Sequence, residues 1–296
     1  MLPEHHTEVI NGIALHWVEQ GTGPVILLLH GFPEFWYSWR HQIDPLASAG
    51  FRVVVPDMRG YNLSAKPVEV DEYRLDRLTG DIAALIDRVS EGKPVVLVGH
   101  DWGGVVAWFT AMAHPDLLDK LIILNCPHPL GISRALARWS QKRRFWYQYA
   151  FQIPYLPEWI LSFNDCAMIR RKLERLIHRR EALTDSDLEK YVQAMQQPGA
   201  LRGMINYYRA IGRHRRWSRS MVKTIAVPTL VLRGLDDPFF IPEAFAHYDR
   251  WVERCELESV PGAGHFIQSD LPDLVVDRIV RFSRGKAAPQ SIESRS

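Results

Sequence analysis

Cysteine is scarce: Cys126, Cys166 and Cys255 are the only three in 296 residues. Their number is odd and their spacings are wide, which excludes a disulfide framework and any CxxC metal or redox pair. No apolar run approaches the ~18 residues that cross a bilayer. The stretch Met1 to Val9 is polar and has no secretory core. The expected setting is therefore reducing and cytoplasmic, with no membrane partner. No group of His, Cys and carboxylates has metal-ligand spacing, so no metal is expected. Charge of one sign is also missing. Lys+Arg number 36 and Asp+Glu 34, a net +2 that argues against a general polyanion binder. What remains is globular in kind, with 47% hydrophobic and 24% charged residues.

The small net charge conceals a division. Residues Gly131 to Ser220 carry 18 Lys/Arg against 7 Asp/Glu, and the rest carries 18 against 27. The same stretch differs in pattern. On either side of it, β-rich runs alternate with helical spacing. The expected strands are Ala14–Val18, Val25–Leu29, Phe51–Val55, Val95–Gly99, Leu121–Asn125, Thr229–Arg233 and Cys255–Val260, with Thr7–Ile10 as an edge strand. Continuous apolar runs such as Ile26 to Leu29 suit strands covered on both faces. Helices are expected over Asp76–Val89 and Gly103–Ala113. The alternation predicts an α/β fold with a mostly parallel sheet flanked by helices. Between about Leu130 and Met221 the strands stop, and helices are expected over Ser133–Gln148, Asn164–His178, Thr184–Gln196 and Leu201–Arg213. This reads as a helical insertion between two strands. The tail from Arg284, rich in Ser, Ala and Arg, is expected to be poorly ordered.

Four local patterns fall at the ends of expected strands. Gly99-His100-Asp101-Trp102-Gly103-Gly104 closes a buried strand and opens a helix. Small residues flanking a central side chain mark a nucleophile elbow, here with Asp101 at its tip. Its bland alternative is an acidic helix cap. His30-Gly31-Phe32-Pro33 follows Val25–Leu29, and the amides of Phe32 and Trp102 together would form an oxyanion hole. Arg233-Gly234-Leu235-Asp236-Asp237-Pro238 offers two carboxylates that would orient an imidazole. Gly262-Ala263-Gly264-His265-Phe266 offers the imidazole. The chain order is oxyanion loop, nucleophile, acid and histidine, which is that of a hydrolase triad with Asp in place of Ser. His100 is expected to pack beneath the elbow.

With His30-Gly31-Phe32-Pro33-Glu34, Asp57-Met58-Arg59-Gly60-Tyr61, the elbow and Gly264-His265, the chain resembles the α/β-hydrolase-fold epoxide hydrolases over nearly its whole length. The resemblance implies an eight-stranded sheet with a helical cap between strands six and seven. It implies a core of residues 1–130 and 221–296 and a cap of 131–220. It selects Asp237, the acid just before Pro, over Asp236. It implies Tyr147 and Tyr208 as ring-opening acids in the cap, with Tyr149, Tyr155 and Tyr207 near enough in sequence to leave the assignment open. Asn125 stands where some relatives keep an alternative acid. Asn62 replaces a common Gly, and Asn tolerates a left-handed turn.

The implied chemistry turns an epoxide and water into a vicinal diol. Asp101 forms an ester with the substrate, and His265, held by Asp237, activates water to break it. No cofactor is required. Trp36, Trp146, Phe32 and Trp102 are expected to wall the substrate site. A haloalkane or haloacid dehalogenase shares Asp and His, but halide needs N–H donors rather than the tyrosine pair. A silent ligand-binding protein would not need all five catalytic side chains. Arg170-Arg171-Lys172, Arg179-Arg180 and Arg213-His214-Arg215-Arg216 carry no nucleic-acid motif, so no nucleic acid is expected. A monomer or homodimer is expected. The cationic cap above a carboxylate is expected to favour the ionised form of the tyrosines.

Overall fold

The computed structural model describes residues 2–285. The eleven residues from 286 onward, most of the tail expected to be poorly ordered, lie outside that range. Eight strands form one sheet: β1 Glu4–Ile10, β2 Ile13–Gln20, β3 Val25–Leu29, β4 Arg52–Pro56, β5 Val95–His100, β6 Leu118–Leu124, β7 Thr229–Gly234 and β8 Cys255–Val260. Their spatial order is β1-β2-β4-β3-β5-β6-β7-β8. β2 runs antiparallel to β1 and β4, and every other pairing is parallel. The edge hairpin turns at Asn11-Gly12, both with positive φ, which is the usual chemistry of a two-residue hairpin loop. All eight expected strands are present. β1 is longer than expected because its register with β2 continues to Glu4↔Glu19.

Helices follow in chain order: α1 Arg40–Ser48, α2 Leu75–Val89, α3 Trp102–Ala113, α4 Pro129–Ala135, α5 Trp139–Arg144, α6 Trp146–Ala150, α7 Leu156–Leu176, α8 Asp185–Gln196, α9 Ala200–Arg213, α10 Arg215–Ser220, α11 Ile267–Asp270 and α12 Pro272–Ser283. The apolar strands divide by alternation even though their runs are continuous. Leu27, Leu29, Leu97 and Ile123 face one side with Leu78 and Ile82 of α2 and Val106 of α3. Ile26, Leu28, Val98 and Ile122 face the other with Ile43 and Leu46 of α1 and Val275 and Ile279 of α12. Both faces are thus sealed, as parallel strands require.

Between β6 and β7 the chain is helical, α4 to α10, and packs into the first of these two clusters. Two expected helices differ. Ser133–Gln148 is three short helices, and the buried Gln141 side chain within the second of them bonds the loop after β7. Its Nε2 donates to the Phe239 carbonyl at 2.8 Å and its Oε1 accepts from the Ile241 amide at 3.0 Å. Asn164–His178 belongs to the longer α7, which is interrupted at Phe163–Cys166, with Asn164, Asp165 and Cys166 at positive φ. Asn and Asp bear that conformation at the lowest cost among residues with a side chain. α8 starts as expected, with Thr184 and Asp187 exchanging a capping box. Among the described residues no helix is long and apolar enough to cross a membrane.

Candidate active site

The sharpest local geometry is at Asp101, between β5 and α3, with φ 48° and ψ −118°. Such a conformation costs a non-glycine residue about 1–3 kcal/mol and persists only where the surroundings enforce it. They do so here by close approach. A Cβ on Gly99 would lie 2.5 Å from the Gly103 carbonyl oxygen, and one on Gly103 would lie 2.4 Å from that of Leu29. Asp101 occupies the N-cap position of α3 but makes no capping hydrogen bond. The carboxylate turns into a cavity instead, which removes the bland reading of an acidic cap. Its Oδ1 accepts from the Phe32 amide at 2.8 Å, and its Oδ2 lies 3.5 Å from His265 Nε2. The Phe32-Pro33 peptide is cis. Trp102 opens α3, where first-turn amides lack intrahelical acceptors.

His265 Nδ1 lies 2.9 Å from Asp237 Oδ2, and both side chains are buried. Asp237 Oδ1 also accepts from the Phe239 amide at 2.7 Å. Asp236 is exposed. Burial opposes charge on His265, but the Asp237 and Asp101 carboxylates outweigh it and raise its pKa to about 10. Burial likewise opposes charge on Asp101, yet the hydrogen bond and charge of His265 prevail, and its carboxyl sits below the ordinary value.

Two chambers, of about 500 and 460 Å³, meet at Asp101. Tyr147, Tyr208 and Phe239 border both. The larger is walled by apolar side chains, including Phe151, Leu161, Ile169 and Leu173. The Tyr147 and Tyr208 rings stand edge to face at 5.9 Å, and Phe32 and Trp102 pack edge-on against Tyr208. Of the other tyrosines, Tyr207 is buried with its hydroxyl donating to the Arg59 carbonyl at 2.8 Å. Tyr155 is exposed, and Tyr149 is exposed at the rim of the smaller chamber.

Two expectations need correcting. Trp36 does not wall the cavity. Its amide donates to Asp57 Oδ1 at 3.0 Å, which turns the residue toward β1, where its ring meets His5 edge-on. Trp146 does border the larger chamber, and Trp102 the smaller. The cationic interval also does not ease ionisation of the tyrosines. Burial raises both hydroxyls well above the ordinary value. The Asp101 charge raises them further, as does Tyr147 for Tyr208. The cap cations lie largely at the surface, where water screens them.

Supporting hydrogen bonds around these residues were not readable from the sequence, and the roles of Glu34 and Gln268 in them went unnoticed. His100 does more than pack: its Nδ1 meets Glu34 Oε2 at 2.8 Å and its Nε2 meets the His265 carbonyl at 2.8 Å. Glu34 also accepts from the Gly31 amide at 3.0 Å and from Gln268 at 2.9 Å, so one buried carboxylate joins the oxyanion loop, the elbow and the histidine loop. Asn125 donates to the carbonyls of Gly264 and His265, each at 2.7 Å, and accepts from the Gly234 amide at 2.6 Å. Glu34 followed the quoted His-Gly-Phe-Pro run, so proximity to a motif was the available signal for it. Asn62 has φ 37° and donates to Asp57 Oδ2 at 2.8 Å, as its tolerance for that turn implies. Glu4, His6 and Glu19 bring possible metal-ligating atoms within 4.8 Å of one another on the edge hairpin, but none of them lines the Asp101 cavity.

The sheet order, the elbow and the convergence of acid and histidine define an α/β hydrolase. The chain belongs to the α/β hydrolase fold family, whose match covers residues 24–272. It is 39% identical over 279 residues to the AB hydrolase superfamily protein YfhM of Bacillus subtilis, covering 93% of this chain and 96% of that protein. It is 40% identical over 273 residues to epoxide hydrolase 4 of Mus musculus, covering 90% of this chain and 75% of that one. The crystal structure of epoxide hydrolase VrEH1 from Vigna radiata superposes with a TM-score of 0.84 at 30% identity, covering 96% of this chain and 98% of that one.

Proposed function

We propose that the protein is an epoxide hydrolase that works through an ester on Asp101. In this reading residues 131–220 form a cap over a core of 1–130 and 221–296. The observation that carries it is the meeting of Asp101 with Tyr147 and Tyr208 on one apolar cavity. Relatives named as epoxide hydrolases support it.

Asp101 is ionised at neutral pH and needs no base to attack. Phe32 holds Oδ1, so Oδ2, which lies 3.5 Å from His265 Nε2, is the oxygen that bonds an epoxide carbon. As that C–O bond forms, the ring C–O bond breaks and its electron pair stays on the leaving oxygen. A tyrosine hydroxyl delivers its proton there. The raised tyrosine pKa values keep both hydroxyls protonated and ready, and an alkoxide is basic enough to take the proton. General acid assistance is worth about 10²–10⁴-fold.

Esterification removes the negative charge on Asp101. One of the influences that hold His265 protonated is then gone, so His265 becomes a better base in the second half of the reaction. Once it has released that proton to solvent, His265 takes one from water attacking the ester carbonyl, while the Phe32 and Trp102 amides hold the oxyanion. Collapse breaks the acyl C–O bond, with a proton passing to the departing diol oxygen. The diol leaves and the tyrosinate regains its proton from solvent.

A single turnover in oxygen-18 water tests the ester. The first diol made by fresh enzyme should carry unlabelled oxygen from Asp101, and fully labelled diol would refute the route. Assaying an epoxide and a haloalkane side by side, with diol and halide read separately, should give diol alone.

A further inference from the structure

One face of α7 departs from ordinary protein surface. Trp159 is 66% exposed and Phe163 69%, with their rings 6.4 Å apart. Phe163 sits at the elbow where α7 is interrupted. Beside them runs a groove of about 520 Å³, with Met168 on its wall. Contiguous exposed apolar surface of this kind marks an interaction site.

The same groove is cationic. Arg171, Lys172 and Arg175 line it with no acidic partner among the described residues, whereas nearby Arg170 pairs with Glu174. Ile160, Met168 and Lys172 line both this groove and the larger chamber at Asp101, so the two spaces share that wall. Unpaired cations around protruding aromatic rings are complementary to an anionic interface with an apolar interior. A second copy of the chain is a poorer match, because a two-fold pairing would set the cationic rim against itself. A peripheral face needs no spanning helix.

We propose that this face docks on an anionic phospholipid bilayer. Trp159 and Phe163 enter the headgroup boundary, and Arg171 and Arg175 meet lipid phosphates. The wall shared with the larger chamber then faces the bilayer, so an apolar epoxide partitioned into lipid is held next to that cavity. That last clause alone rests on the proposed activity.

Sedimentation with vesicles tests docking without substrate, so its failure is distinct from a failure of hydrolysis. The protein should pellet with vesicles of phosphatidylglycerol and phosphatidylcholine and stay in solution with phosphatidylcholine alone. It should be released by ~1 M salt, where the Debye length is ~3 Å. Removing cations with Arg171→Gln and Arg175→Gln should weaken binding about fivefold each and ~30-fold together. Trp159→Ala with Phe163→Ala should also weaken it, and neither pair lines the Asp101 cavity. Equal pelleting with both vesicle types, or with neither, would overturn the proposal, as would variants that bind like the parent. A dimer that dissolves on Phe163→Ala would assign the face to a second copy instead. The lipid and salt series on the unaltered protein decides the question even if a variant does not fold.

Discussion

At the scale of single residues, the two halves of the proposed reaction fall on different side chains, and this separates their variants. His265→Gln keeps a polar group but removes the base. Ring opening should continue and ester hydrolysis should fall by about 10²–10⁴-fold. Intact-mass measurement should then show a stable adduct equal in mass to the substrate, one per chain. Tyr208→Phe should do the reverse: ring opening slows by at least about 10²-fold and no adduct accumulates. A Tyr208→Phe enzyme that builds up adduct would contradict the assignment. Asp101 and His265 stood out as candidates because their surroundings are written in local words, whereas Asp237 over Asp236 and Tyr208 came from the family resemblance. Asp101 stands between glycines and His265 follows one. Asp237 precedes Pro, and the structure buries it while leaving Asp236 exposed. Trp36 was misplaced because an aromatic ring after a loop carries no local sign of its direction. The hydrogen bond to Asp57, 21 residues away, decides it.

At the scale of elements, the site is an agreement among strand ends. The loops after β3, β5, β7 and β8 each contribute one part, and the residue after β6 ties two of them. Asn125 binds Gly264 and His265 of the histidine loop on one side and Gly234, the last residue of β7, on the other. It is therefore a positioning residue for the Asp237–His265 pair. Asn125→Ala strands buried carbonyls and an amide, which should cost about 1–3 kcal/mol. A lowered denaturation midpoint would measure this. Ester hydrolysis should slow more than ring opening, and equal slowing of both would reduce Asn125 to a purely structural part. The sequence placed Asn125 at the right strand end but showed only that it is not an acid. Its partners lie more than 100 residues away, beyond any local pattern. The helices between β6 and β7 were legible as helices but not as shapes. The Gln141 side chain of α5 is held by the loop after β7, and the break in α7 rests on three left-handed residues.

At the scale of the whole molecule, the two oppositely charged portions are not held together mainly by their charge. Arg213 and His214 meet Asp71, and Arg138 meets Glu243, all largely at the surface. Exposed pairs of this kind contribute about 0–1 kcal/mol each. The seam is closed by buried contacts such as the Tyr207 hydroxyl on the Arg59 carbonyl and the packing of Gly203 against Gly60. The charges inside the site add a pH dependence of their own. His265 binds its proton up to about pH 10 when folded and to its ordinary 6.5 when unfolded. Its contribution is fully present below pH 6.5 and is lost as pH rises through about 10, since the folded state there holds more protons than the unfolded. Asp101 runs the other way. Its folded value is depressed, so its contribution is present above the ordinary 3.8 and is lost as pH falls through the folded value. The site therefore supports the fold best between those two ordinary values and less on the alkaline side. Thermal midpoints of the unaltered protein should decline from pH 6.5 toward 10 more steeply than those of His265→Gln, which has no proton to lose. Subtracting the two curves removes the lysines and tyrosines that titrate in both. A difference that stays flat across this window would mean that His265 is not charged in the folded protein.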